Sequence, residues 1–324
     1  MKKQAGAKLA IGNRQVQMNK GLNRFAIFVA CATFFLIIAG ALVTSNDAGL
    51  ATPDWPLSNG QFLPPMVGNL FYEHGHRMVA TTVGLLTIAL AIYIRLKEKR
   101  EWIWKLALFA LIGVCAQGLL GALTVKFLLP QGVSTAHATL AQLFFCTTVS
   151  LAVFTSRSWM EAQPIEEEKG TLPLRYLCTA ALATIFLQLV LGATLRHSAE
   201  WNEHLPVHLV LTHIGGAVAV TIALGGAALT TLRRYRDVSF LTRPAMIALG
   251  LLALQLGLGI AAYLTRLSSP NDPQPLNPMI SITVAHVACG ALVFVTTIVL
   301  TLRVYRVLPG NADNRGWDAS LQES

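Results

Sequence analysis

The stretch FYEHGHRMVA, residues 71–80, sets Glu73, His76 and Arg77 at i, i+3 and i+4, a spacing that places all three on one face of a helix. Together a carboxylate, an imidazole and a guanidinium can move a proton, ligate a metal and hold an anion. Two readings stand for the acid and the base. Glu four residues before Arg is a favourable structural ion pair; a carboxylate beside a ligand group is also a reactive centre, with Arg77 in support. His74 falls on another face and reads as an interfacial residue. Three more histidines, His137, His213 and His286, resemble His76 in standing near the start of a long apolar run.

The elements that must position these groups are membrane helices. Of 324 residues, 54% are hydrophobic and only 13% charged, too few charges for an ordinary soluble surface. Apolar runs long enough to span a bilayer, roughly 20 residues each, lie at about 25–45, 76–95, 103–126, 134–155, 174–196, 207–232, 244–265 and 280–302. The predicted fold is all-α and integral to the membrane, with eight transmembrane helices. The net charge of +9 sorts by side: 21 of the 25 Lys and Arg fall at the ends that share a side with the N-terminus, and the other four are Arg77, Lys126, Arg196 and Arg266. The positive-inside rule then puts both termini in the cytoplasm and makes the basic excess a topology signal with attraction to anionic lipid, not a nucleic-acid footprint. The basic leader Met1–Arg24 precedes an apolar run too long for a signal peptide; being short and Lys-rich, it suits a bacterial inner membrane better than a mitochondrial presequence. All five cysteines, Cys31, Cys115, Cys146, Cys178 and Cys289, lie in the spans and read as small core residues with no disulfide framework.

The spans repeat. The third, fifth and seventh carry QGLLGALTVK from Gln117, QLVLGATLR from Gln188 and QLGLGIAAYLTR from Gln255. Each is Gln, three residues, Gly, then a cation near the outer end; the first span keeps Gly40 but has Leu36 for the glutamine. The glutamines read either as interhelical packing groups or as cofactor-facing groups. Each even span carries a histidine on the outer side. The resulting division is an N-terminal segment 1–24, a four-helix bundle 25–155, a charged cytoplasmic connector 156–173, a second bundle 174–302 and a tail 303–324. Zinc would want three or four protein ligands, whereas heme iron needs two axial nitrogens and its macrocycle suits an apolar four-helix bundle. This assigns one heme site to each half, His76 with His137 and His213 with His286. The halves differ, because aligning 208–217 on 71–80 sets Val210 opposite Glu73 and Ile214 opposite Arg77.

With these residues goes a family resemblance. GLATPDWPLSNG (49–60), Glu73 to Arg77 as E-x-x-H-R, QGLLGALTV (117–125) and the histidines His137 and His286 are similar to the heme A synthase family, cytochrome oxidase assembly enzymes that convert heme O to heme A, over about residues 25–303. The resemblance implies two bundles related by a pseudo-two-fold axis. It implies substrate heme O between His76 and His137, Glu73 as the catalytic carboxylate, and a resident heme b on His213 and His286. It implies oxidation of the C8 methyl of heme O to a formyl by successive hydroxylations, an electron acceptor of unknown identity, and a heme O synthase as upstream neighbour. A homo-oligomer is compatible with the Gly215–Gly216 and Gly225–Gly226 pairs. Many members of the family carry a cysteine pair in the first outer loop; here those positions are Thr52 and Ser58, so thiol chemistry has no support. The loop between the fifth and sixth spans is expected to rest on Trp201 and Pro206, with His204 and His208 as surface residues and Trp55 as an interface anchor.

Two other functions use the same residues. A di-heme membrane electron carrier would need the four histidines but not Glu73 and Arg77 in one half alone. A transporter built from parallel repeats would need a midplane site and a broken helix.

Overall fold

The computed structural model describes residues 18–165, 172–198, 206–268 and 276–308. It contains eight long helices: α1 (Lys20–Ser45), α2 (Asn69–Lys97), α3 (Glu101–Lys126), α4 (Gln131–Phe154), α5 (Leu174–Arg196), α6 (Val207–Arg234), α7 (Ser239–Ser268) and α8 (Asn277–Val307). All are long and apolar enough to cross a membrane, and the chain is an integral membrane protein. A single helical turn, Arg157–Met160, opens the connector between the halves. All the helices but α5 extend beyond the predicted apolar run at one end or both, because polar ends still satisfy their backbone bonds within the helix. Glu73 therefore lies a full turn inside α2, not at its mouth.

Local chemistry sets the ends. Asn19 caps α1 by accepting the Leu22 amide, 3.0 Å. Pro130, Pro173 and Pro206 precede α4, α5 and α6, where a missing N–H costs nothing. Gly68 takes φ +59 before α2, a conformation that suits glycine.

Helices α1–α4 form a ring in which each packs on the next and α4 closes on α1; α5–α8 repeat it. Between the rings α1 packs on α8, α4 on α5 and α4 on α8. Exchanging the halves turns the first contact into the second and returns the third to itself, as a two-fold axis between matched halves requires.

The apolar core is concentrated away from the histidines. In the first ring it comprises Leu22, Ala26 and Val29 of α1, Leu90, Ala91 and Ile94 of α2, Ile103, Ala107 and Ala110 of α3, and Leu151 of α4. Toward the other end burial stops: α1 has no buried residue between Ile37 and Ser45, α3 none between Ala110 and Val125, α5 none between Ile185 and Leu195, and α7 none between Leu252 and Arg266. Those four stretches hold the repeated glycines. Cys146, Cys178 and Cys289 are core residues, but Cys31 and Cys115 are exposed on the helix surfaces, contrary to a core role for all five; in a bilayer an outward apolar face costs nothing.

Candidate functional site

The same small device occurs four times. A Cβ built on Gly40 would meet His76 Cε1 at 3.1 Å; on Gly121, His137 at 3.5 Å; on Gly192, His213 at 3.0 Å; and on Gly259, His286 at 3.2 Å. Each odd helix thus gives up a side chain so that the Cε1 edge of the next helix's imidazole can approach its backbone. The glutamine one turn earlier sits at the same ring. Gln188 Nε2 is 3.1 Å from His213 Nδ1 and also donates to the His213 carbonyl at 2.9 Å, and Gln255 Nε2 is 3.1 Å from His286 Nε2. Both are amide contacts across a helix interface, which is the interhelical reading of the glutamines. Gly216 packs inside its bundle, where an added Cβ would fall 2.0 Å from Gln188 Oε1.

His213 and His286 stand with ring centroids 6.3 Å apart; His76 and His137 face Gly40 and Gly121 at the matching positions of the first bundle. Among the described residues, Nδ1 of His76 and Oε1 of Gln117, Gln188 and Gln255 are buried without a hydrogen-bond partner. Buried imidazole nitrogens are ordinarily satisfied, so these are groups built for something larger than one another. Among the described residues no three His, Cys, Asp or Glu side chains converge as a metal cage. The donors come as imidazole pairs beside a loosely packed, glycine-lined interior, and that set fits a heme, whose macrocycle supplies the remaining iron ligands.

Among the described residues, the first half adds a charged cluster beside its histidines. Glu73 is 4% exposed; its Oε1 accepts from Arg77 Nη2 and its Oε2 from the Thr52 amide at 3.1 Å. Arg77 Nη1 faces three acceptors of the α1–α2 loop, the carbonyls of Leu57 at 2.6 Å and Asp54 at 2.9 Å and Ser58 Oγ at 3.1 Å. The carboxylate is therefore buried, the guanidinium largely so, and both are strapped by the loop, unlike the weak solvent-exposed pairs of helix surfaces. The loop closes on itself through Asp54, whose carboxylate takes the Asn59 and Gly60 amides, each at 2.8 Å, and the Thr52 hydroxyl. The Gly60 amide first, then the Thr52 hydroxyl, hold Asp54 far below the usual carboxylate range.

His74 corrects the interfacial expectation. It is 4% exposed and binds Ser58 Oγ and the Phe62 carbonyl, because the loop folds back over the face that periodicity alone would leave outside. Thr52 and Ser58 are fully buried. Trp55 and His208 are exposed, as expected; Trp201 and His204 lie outside the described residues. One further group has no counterpart in the motif reading. His197, just past α5, is pushed down to about 4 by burial and then by the charges of Arg196 and His137, so the second half places a neutral imidazole near the first half's histidine. Its only sequence signal is adjacency to the cation that ends the glutamine–glycine stretch.

Residues 3–70 and 66–201, more than half the chain, match the COX15-CtaA model, described as cytochrome oxidase assembly protein. The chain belongs to that family. Among curated relatives, a heme A synthase of Bacillus licheniformis is 26% identical over 77% of this chain and 88% of its own. That of Geobacillus kaustophilus is 24% identical over 94% and 98%, and that of Symbiobacterium thermophilum 28% over 74% and 85%. The similarity thus runs through both bundles.

Proposed function

We propose that the chain is a heme A synthase, an oxidoreductase that binds heme O in its N-terminal bundle (25–155) and oxidises the C8 methyl to the formyl of heme A. The observation that carries the reading is asymmetry among the described residues: two matching imidazole pairs, with a carboxylate–guanidinium pair beside the first and none beside the second. The names of the relatives agree with it. His76 and His137 are the axial ligands of the substrate, and Glu73 is the catalytic residue. Each hydroxylation takes oxygen from water and releases an electron pair and two protons, and the second leaves a geminal diol that loses water. Glu73 accepts a proton from the attacking water and its charge offsets positive charge developing at the methyl carbon. Arg77 holds the carboxylate in place, and the apolar surroundings exclude bulk water.

In the C-terminal bundle (174–302) His213 and His286 would hold heme b, steadied by Gln188 and Gln255. When bound there, heme b supplies reversible one-electron chemistry. Val210 and Ile214 stand where the first half has Glu73 and Arg77, so the described part of α6 offers no matching carboxylate, which suits a group that is retained and not altered. Electrons leave to an acceptor that the chain's residues do not specify. The membrane is a bacterial inner membrane with both termini and the connector 156–173 in the cytoplasm, on the charge sorting.

The test is pigment extraction. Membranes supplied with heme O and containing this protein should yield heme A and a hydroxylated intermediate. Unaltered heme O beside a stable bis-histidine spectrum would instead make the protein an electron carrier.

A further inference from the structure

Both ring nitrogens of His74 are engaged, and the donor inventory assigns every proton. The Phe62 carbonyl, 3.0 Å from Nε2, can only accept, so Nε2 carries the hydrogen. In the neutral ring a hydrogen on Nε2 leaves Nδ1 a lone pair, so Nδ1 accepts the Ser58 hydroxyl, 2.8 Å away, while Ser58 Oγ accepts from Arg77 Nη1, which can only donate. The bonds therefore run one way, from Arg77 to Ser58 to His74 to Phe62, and the same guanidinium presents Nη2 to Glu73. Nη1 has two hydrogens and three acceptors. Which acceptors dominate sets the tilt of the guanidinium, and Ser58 competes with the Asp54 and Leu57 carbonyls only while its lone pairs face Arg77. His74 fixes that orientation by taking the hydroxyl proton. Ser58 and His74 are buried, where water does not replace a lost partner cheaply.

We infer that His74 is a positioning residue for the reaction, acting through Ser58 and Arg77 to aim the Glu73 carboxylate. The inference rests on Glu73 serving the substrate. A displacement of about 1 Å at a reacting group can cost on the order of a hundredfold, and the relay ends one bond from that group.

Two substitutions separate the relay from simple loop anchoring. His74→Gln places an amide nitrogen near the Nε2 position, keeping a donor for Phe62 while withdrawing the acceptor from Ser58. His74→Asn places an amide oxygen near Nδ1, keeping the acceptor for Ser58 while dropping the Phe62 bond. The full-length protein, loaded with heme O, is followed for conversion, with bound heme O and retained heme b measured alongside. His74→Gln and Ser58→Ala should each slow conversion about tenfold at unchanged heme O occupancy, within the range expected for disturbed positioning. Their double variant should be no slower than either, and His74→Asn should lose several-fold less. Equal losses in Gln and Asn that track heme O occupancy would mean loop anchoring and overturn the inference. So would full-rate conversion in Ser58→Ala and His74→Gln beside an inactive Glu73→Gln, a result that leaves the catalytic reading intact. Near-normal conversion in Glu73→Gln would remove both.

Discussion

His213 and His286 each have a glycine against one edge of the ring and a glutamine amide nitrogen within 3.1 Å. Replacing either imidazole with alanine leaves the glutamine behind, and an amide nitrogen is no ligand for iron. His213→Ala or His286→Ala should therefore strip most heme b from the purified protein, read as loss of its absorption per mole of protein; undiminished heme b in both would show that the resident site is elsewhere. The Glu73–Arg77 pair and the four histidines are legible in the amino-acid order because each depends on helical spacing or on a repeat. The loop partners of the pair, Thr52 for Glu73 and Asp54 and Ser58 for Arg77, are not. Thr52, Asp54 and Ser58 lie 15 to 21 residues upstream of Glu73, and contact between a loop and a helix depends on the path of the chain, which no periodicity encodes. His74 shows the consequence, since its position on the helical wheel says nothing about a loop that folds over it.

The odd helices act as backing plates for the imidazoles, and the fit differs between them. At Gly192 a Cβ would stand 3.0 Å from the His213 ring, closer than carbon atoms pack, whereas at Gly121 the 3.5 Å to His137 is ordinary contact. Gly192→Ala should push His213 from its seat at an overpacking cost of about 1–3 kcal/mol and release heme b, while Gly121→Ala should leave heme binding within about twofold. Equal behaviour of the two variants would contradict the backing role. The α1–α2 loop is an element of a different kind, held by hydrogen bonds in place of packing. Asp54 has a lowered folded-state pKa, so its contribution is fully present above the unfolded value and is lost only as the pH falls through the folded one. Hydrogen exchange at the Asn59 and Gly60 amides should accordingly show unchanged protection from about pH 7 to about pH 5, above the ordinary aspartate range. Asp54→Asn should lower that protection at every pH, and a wild-type decline within the interval would show that another group closes the loop.

At the scale of the molecule, two cross-bonds among the described residues join the halves at the histidine end. Arg196 Nη2 donates to the Thr44 carbonyl at 2.8 Å, and Gln131 Nε2 to the Thr194 carbonyl at 3.1 Å. The first is charge-assisted, worth about 1.5–3 kcal/mol. Arg196→Met keeps the apolar stem and should lower the thermal midpoint of the whole protein, with both heme sites lost together; separate melting of the two hemes would show that the halves are not coupled there. The two bundles share a fold and differ in chemistry, and that division of labour is the centre of the account. It is tested most directly by Glu73→Gln, which keeps the side-chain volume and a hydrogen bond to Thr52 but removes the charge and the ability to accept a proton. The measured quantity is heme A formed per mole of protein, with heme b in the same sample as the control for folding. The account predicts a fall of roughly a hundredfold or more, the scale for removing a positioned acid or base, with heme b retained and heme O or its hydroxylated form accumulating on the protein. Near-normal heme A from Glu73→Gln would contradict it and reduce the charged cluster to a strap for the loop.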